Sequence, residues 1–577
     1  SVGVVVSVSI ELRGYDDDDD AKAVLSTCTT QYDPYVARLT YRYFPRAEVA
    51  IVVNDAEAEV RVDSIDRPLT VADYDFIVYG GQDETNDVRR VRRDIALRVL
   101  HALRDAETDL QSWRRNPLRD LLERLPLDSA NLNATALAVA AAVDQLRLDP
   151  NVGAMETHLA TRLHAMTGPR LPLTPTLGFA STEPDELVRA VRLFIDQARR
   201  HQVADASLGG ANVLYLGLLL EALAQQRAQD EFVTTILAVE EPEAHLHVSL
   251  QRRLFRHLLR SEPTLLLTTH SPHIAAVTPL RSLVVLRESA AGTMGRTTAG
   301  VEVTPRQEHD LERYLDVSRA ELLFSSTVIL VEGLAELYLV PALASAAGFD
   351  LDSYGVVVAS VHGTDFRPYV TLLGPGGLDA SWTVITDGDP DAPTTARREA
   401  GLRRAVAVLP QGEDRSRLVQ AIRGIATSSS ADNRMAIVDE LGQHGLFVGQ
   451  QTLELDLCSI LGDQMIAAFN ELPTTIPARE DLKAGVANER SRTPQAAARA
   501  AMLRRIEAVG KGRYAQRLAA HVADDDLTAL VEESGGDPTT EPIEAGPASY
   551  LLNALDRVSR IVRGRPLFAE VAPDPDG

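Results

Sequence analysis

The segment Val328-Ile329-Leu330-Val331-Glu332-Gly333 constrains this chain more than any other stretch. Four apolar residues in an unbroken run fit a strand buried on both faces, as in a parallel sheet covered by helices. The run stops at an acid and a glycine, and in such sheets ligand-binding groups follow the carboxyl ends of the strands. The same grammar recurs. Ile236-Leu237-Ala238-Val239 ends in Glu240-Glu241, Leu265-Leu266-Leu267-Thr268 leads to His270, and Trp382-Thr383-Val384-Ile385-Thr386 ends in Asp387-Gly388-Asp389. A chain of 577 residues has room for about three or four domains.

Those runs and the stretches between them divide the chain into four regions. Residues 1–84 alternate β-type runs with turns (Val4 to Leu12, Tyr35 to Phe44, Val49 to Val53, Glu57 to Val62, Asp73 to Tyr79) and predict an antiparallel lobe. The acidic run Asp16 to Asp20 reads as a solvated turn before a helix. Residues 85–203 read as helical, with Ile95, Leu97, Leu100 and Leu103 on one face and Leu118, Leu121, Leu122 and Leu125 on another. Pro126, Pro150, Pro169, Pro172 and Pro175 break this region into separate helices, either an arm for dimerisation or a plain helical subdomain. Residues 204–322 predict a parallel α/β lobe with strands Thr235 to Val239, Thr264 to Thr268 and Ser282 to Leu286 around a helix Leu250 to Leu259. Residues 323–577 predict a second α/β domain with strands Val328 to Val331, Val356 to Ser360, Trp382 to Thr386 and Ala405 to Leu409, then helices, and a frayed tail Ala572 to Gly577.

Composition excludes several classes. With 58 basic and 82 acidic residues the net charge is -24, so the chain does not coat nucleic acid by bulk attraction and any DNA contact is local. The clusters Arg89-Arg90-Val91-Arg92-Arg93 and Arg252-Arg253 read as exposed helix faces. Cys28 and Cys458 have no C-x-x-C spacing, which excludes a disulfide framework and a zinc ribbon and fits a reducing cytoplasm. The longest apolar stretch, Ala134 to Val143, falls short of a membrane span, and the start has no signal-peptide pattern. The chain begins with Ser1 rather than Met, so upstream residues are expected to be missing.

In Glu240-Glu241-Pro242-Glu243-Ala244-His245-Leu246-His247, two adjacent acids at a strand end call for a cation. Glu240 can hold Mg²⁺ while Glu241 orients or deprotonates a water attacking a terminal phosphate. His270, at the end of the next strand, would stand near the same phosphate. Ser207-Leu208-Gly209-Gly210 opens an apolar helix whose first N–H groups can face a phosphate. The set resembles the signature loop, Walker B and histidine switch of ATP-binding-cassette ATPases of the DNA-repair type. That resemblance implies an ATP site made with Ser207, Gly209, Gly210, Glu240, Glu241 and His270. No G-x-x-x-x-G-K-[ST] occurs, and Gly510-Lys511-Gly512 does not supply it. ATP and Mg²⁺ are therefore expected there only if that loop is supplied; a missing N-terminal segment is the simplest account, a degenerate ATPase the alternative. Leu208 also departs from the signature pattern and weakens the case for a serine contact to phosphate.

Glu332 at a strand end, Glu336 one helical turn on, and Asp387 and Asp389 after a third strand bring carboxylates to one sheet edge. Hard oxygen donors of this kind suit Mg²⁺ or Mn²⁺. This pattern resembles the Toprim fold. An ABC-type ATPase followed by Toprim in one chain is similar to the OLD (overcoming lysogenisation defect) nucleases, which include the nuclease subunit of the Gabija anti-phage system. The resemblance implies a further metal-binding glutamate, matched by Glu454 with Asp456 as an alternative, and a lysine matched by Lys511.

The expectation is a metal-dependent DNA endonuclease. Two divalent ions held by Glu332, Glu336, Asp387, Asp389 and Glu454 would flank a scissile phosphate, Lys511 would assist the transition state, and the ATPase region would gate access. Expected partners are DNA, further copies of the chain as a dimer or tetramer, and a helicase-like protein, with no membrane. Two rivals stay open: a Toprim topoisomerase, which would need a tyrosine nucleophile although neither nearby tyrosine, Tyr354 or Tyr514, lies in a segment that suggests one, and a regulatory ATPase scaffold that binds metal without cutting DNA.

Overall fold

The computed structural model describes residues 2–568, apart from 47–51, 55–58, 62–68, 103–105, 148–149, 168–183, 192, 197–200, 229–233, 261–263, 290–291, 316–318, 391–398, 429–430 and 492. Leu103, Pro169, Pro172, Pro175, most of Val49 to Val53, half of Glu57 to Val62 and the tail Ala572 to Gly577 lie outside the described residues. The chain forms two compact units, residues 1–270 and 271–577.

In the first unit an antiparallel sheet is built from β1 (Val6–Arg13), β2 (Thr29–Tyr32), β3 (Tyr35–Pro45) and β4 (Tyr74–Gly80), with β3 pairing all three others. Asp18 in the acidic run caps the helix Asp19–Leu25, its carboxylate accepting the Ala21 N–H at 2.9 Å. The segment expected to be helical at Ile95 is instead strand β5 (Ile95–Leu100). Its side chains alternate, with Ala96 and Leu100 buried and Leu97 and Val99 exposed. Six residues with apolar groups on both faces satisfy either period, and the partner strand decides between them. That partner is β6 (Thr234–Glu240), preceded by helix α1 (Leu208–Ala228) and followed by α2 (Val248–Leu258) and β7 (Thr264–Thr268). The parallel order is β7-β6-β5. By composition α1 is long and apolar enough to cross a bilayer. It buries Ala211, Leu216, Ala222 and Leu223 within this unit, as a core helix does.

The second unit centres on a four-stranded parallel sheet, ordered β9-β8-β10-β11 with β8 (Thr327–Val331), β9 (Val356–Ser360), β10 (Ser381–Thr386) and β11 (Leu446–Val448). Every residue of β8 is buried, as its unbroken apolar run requires. Helices cover both faces. On one side α3 (Leu334–Ala346) packs with α6 (Cys458–Asn470), α7 (Lys511–Val522) and α8 (Ser549–Arg563) around Leu343, Leu461, Met465 and Leu552; on the other, α4 (Ala400–Val408) lies over Leu330 and Val384. A short helix α5 (Leu453–Asp456) follows β11.

Two strand expectations fail here. Ala405 to Leu409 belongs to α4 and the residue after it: Leu402, Ala405, Val406 and Leu409 are buried at helical spacing, which outweighs the local Ala-Val alternation. The strand expected at Ser282 runs Val284–Ser289 and pairs antiparallel with Gly292–Thr297 as a hairpin, not within a parallel sheet. Cys28 and Cys458 are both free and buried.

Candidate functional site

Strands β8 and β10 are hydrogen-bonded neighbours, so their acidic ends emerge side by side. Asp387 N donates to Glu332 Oε1 at 3.0 Å, and Thr386 Oγ1 donates to the same oxygen. Glu336, in the first turn of α3, reaches back to accept the Gly333 N–H at 3.2 Å. Asp387 Oδ1 accepts the Leu453 N–H at 2.9 Å, which ties the start of α5 to β10 and brings Glu454 to the same edge. Lys511 is the first residue of α7, and its Nζ lies 3.3 Å from Glu454 Oε1. A Cβ on Gly512 would stand 3.3 Å from Leu334 Cβ, so the starts of α7 and α3 approach closely. The Cys458 thiol, pushed up to about 12 by burial, donates to the Glu454 carbonyl at 3.2 Å.

The acids share one electrostatic field. Glu336 and Glu454 are only 7% and 6% exposed. Burial first, then the charges of Glu336, Glu332, Glu454 and Asp389, push the Asp387 carboxyl up to about 9. Burial likewise raises Glu336, with Glu332 and Glu454 adding to the shift. Burial pulls the Lys511 ammonium down, but Glu454 and Asp387 outweigh it and the net shift is upward. This is an excess of negative charge carried on hard oxygen donors, the donor chemistry that Mg²⁺ or Mn²⁺ fits. Among the described residues, no three of His, Cys, Asp and Glu stand placed to hold one ion. The acids gather without forming a finished cage, because Glu332 Oε1 is turned onto protein donors.

Arg404 of α4 is the main one of those donors, and the sequence reading missed it. Its guanidinium donates to Thr386 Oγ1 at 3.1 Å, Asp389 Oδ2 at 2.8 Å and the Asp387 carbonyl at 2.8 Å, and stands 3.0 Å from Glu332 Oε1. Gly401, one turn earlier, allows this approach: a Cβ there would sit 2.1 Å from the Asp387 carbonyl oxygen. Asp389, whose carboxylate accepts from Arg404, has a positive φ of 41°. Reading α4 as a strand hid the arginine; the spacing of Leu402, Ala405, Val406 and Leu409 was the signal available.

Asp456 does not replace Glu454. It is 1% exposed and accepts the Gln450 and Gln451 N–H groups at 2.9 and 3.1 Å, pinning the loop after β11 beneath the site. Burial raises its carboxyl to about 7, against the lowering effect of those two N–H groups. Arg434 braces the same loop by donating to the Gly449 carbonyl at 2.8 Å. Tyr514 is buried, with its hydroxyl donating to the Met465 carbonyl at 3.1 Å, so it is poorly placed as a nucleophile; Tyr354 is exposed and packs its ring against Phe349.

The first unit has its own acidic edge. Glu240 Oε2 lies 3.2 Å from His101 Nδ1, just beyond β5, and accepts the Ala102 N–H at 3.3 Å. His101 was missed along with its strand. Glu241 has a positive φ of 42°, and its carboxylate is 3.9 Å from His270 Nε2. Glu243 Oε1 accepts from Thr269 Oγ1 at 2.7 Å and from His270 N at 2.9 Å, which fixes the end of β7 against the acidic turn. The Ser207 hydroxyl accepts the Gly210 N–H at 3.2 Å at the start of α1. Gly209 presses on the turn after β6, where a Cβ would lie 2.5 Å from the His245 carbonyl oxygen. The start of α1 at Gly209 thus abuts the turn that follows Glu240 and Glu241, and His270 approaches Glu241 from the end of β7.

Comparison with known proteins fits both edges. Residues 181–275 match the family model of the AAA ATPase domain. Residues 323–389 match that of the overcoming lysogenization defect protein-like TOPRIM domain. The C-terminal region of the Burkholderia pseudomallei OLD protein is 30% identical in sequence, with 41% of this chain covering 99% of that one. The chain belongs to the OLD family. The OLD C-terminal region of Xanthomonas campestris pv. campestris is also 30% identical over 42% of this chain and 99% of its own; the TM-scores are 0.31 and 0.29. The uncharacterized protein YbjD of Escherichia coli (strain K12) is 29% identical over 204 residues, 34% of each chain, so this chain spans about a third of that curated relative. The OLD family member described here thus carries an ATPase domain followed by a Toprim domain.

Proposed function

We propose that this protein is a metal-dependent DNA endonuclease whose Toprim edge hydrolyses phosphodiester bonds under control of the ATPase domain. The observation that carries the reading is the convergence of Glu332, Glu336, Asp387, Asp389 and Glu454 at the ends of β8 and β10 and on the adjoining helices, with the Lys511 ammonium on Glu454. Glu332, Glu336, Asp387, Asp389 and Glu454 would hold the divalent ions. Bound there, two such ions supply an activated water and charge stabilisation of the leaving oxygen. Asp387, fixed by the Leu453 N–H, and Glu336, fixed by the Gly333 N–H, keep their oxygens on one side of the sheet. Lys511 stands where an ammonium can offset the charge that builds on a phosphorus centre in the transition state. A role in defence against phage or in DNA repair, assembly into a homo-oligomer and a cytoplasmic location complete the proposal.

Incubating supercoiled plasmid with the protein and Mn²⁺ or Mg²⁺ tests it. Glu336→Ala and Lys511→Ala are each expected to lower nicking by roughly 10²-fold or more while the fold is retained. Undiminished cutting by both variants would remove these residues from the site. A covalent protein–DNA adduct would replace hydrolysis by a topoisomerase mechanism.

A further inference from the structure

Among the described residues, the Lys511 ammonium pairs with Glu454, whereas Arg404 bridges both acidic strand ends. Its side chain is 16% exposed, it is anchored on Thr386 Oγ1 and the Asp387 carbonyl, and it spans Glu332 Oε1 and Asp389 Oδ2. A guanidinium stays charged at every working pH and matches carboxylate oxygens with a fixed fork, so it cannot leave the site by losing a proton. Glu332 Oε1 receives Arg404, the Thr386 hydroxyl and the Asp387 N–H together, and a metal ion using that oxygen competes with all of them. The Thr386 and Asp387 donors are neutral, while Arg404 alone brings a full positive charge, and two cations on one oxygen repel.

We infer that Arg404 is a built-in counter-cation that a divalent ion must displace from Glu332, so that this one side chain sets the metal concentration at which the Toprim edge loads. The inference rests on the metal-dependent reading of that edge. Arg404 is a positioning residue in this scheme. It holds the two strand ends together in the metal-free protein and gives up Glu332 on loading, while its bonds to the Asp387 carbonyl and Thr386 keep it in place.

Titration calorimetry with Mn²⁺ on the full 577-residue chain separates the possibilities. Arg404→Gln is expected to bind Mn²⁺ roughly tenfold more tightly than the unaltered protein, and to melt at a lower temperature without metal yet gain more from Mn²⁺. Arg404→Lys, which keeps the charge and loses the fork, is expected to fall between the two and serves if the glutamine variant does not fold. Binding by Arg404→Gln and Arg404→Lys that is no tighter than that of the unaltered protein overturns the counter-cation role and leaves the metal-dependent reading standing. An unaltered protein that takes up no Mn²⁺ overturns both.

Discussion

Two sheet edges in this molecule follow one local recipe, an apolar parallel strand that ends in acids, and they differ in what surrounds those acids. At the ATPase edge the Glu241 side chain is 45% exposed and His270 88%, and the turn is held by the Glu243 carboxylate accepting from the Thr269 hydroxyl and the His270 N–H. At the Toprim edge helices close over the strand ends, Glu336 and Glu454 are buried, and Asp387 is pushed up to about 9. The lesson is that a strand-end carboxylate holds its proton far above the usual carboxylate range when the covering layer removes water from it and gathers like charges beside it.

The two edges diverge most under a change of pH. Folded Asp387 retains a proton up to about pH 9 that the unfolded chain releases near pH 4, so the unfolded state binds fewer protons across that range. Stability of the metal-free second unit is therefore highest at the acid end and falls with rising pH, by on the order of 1 kcal/mol per unit at most, levelling off above about 9. Trp382, with Trp113 replaced by Phe, reports this unit in urea melts; Asp387→Asn should flatten the slope, and a rising slope would contradict the assignment. Next in size, Gly401→Ala drives a Cβ into the Asp387 carbonyl and should cost about 2–3 kcal/mol in the same melt. Gly209→Ala makes the parallel intrusion against His245 in the first unit and should cost about 1–2 kcal/mol, followed by Trp113 fluorescence with Trp382 replaced. The smallest effect is expected at the open edge: Glu241→Gln should leave stability within about 0.5 kcal/mol, measured alongside the others. Finally, without a G-x-x-x-x-G-K-[ST] loop in these 577 residues, ATP should bind the chain alone more weakly than the micromolar range, and calorimetry finding micromolar affinity would reverse that.

What could be read from the residues alone follows the same division. Glu332, Asp387 and Glu241 were legible because a buried parallel strand needs a long apolar run and its end is marked by the first charge. Arg404 and His101 were not, since each lies on or beside an element whose short apolar pattern fits two periods. Ile95–Leu100 takes its identity from pairing with Thr234–Val239, more than a hundred residues away, and Ala400–Val408 from packing on the sheet. Partners at that distance leave no mark in a local window. Lys511 was reached through the family resemblance, while its place at a helix start, its ion pair with Glu454 and the close approach of Gly512 to Leu334 are visible only in the fold.

The placement of β8 and β10 in the middle of their four-stranded sheet has a dynamic consequence. Edge strands and termini exchange their amide hydrogens through small local openings, whereas interior strands do so only when the whole sheet comes apart. Glu332, Asp387 and Asp389, which follow these two strands, are therefore rooted in a part of the domain expected to exchange slowly, out of reach of fraying at the sheet's edges. Control of such an enzyme has to act on what enters the edge, by charge or by access, while the scaffold beneath stays shut.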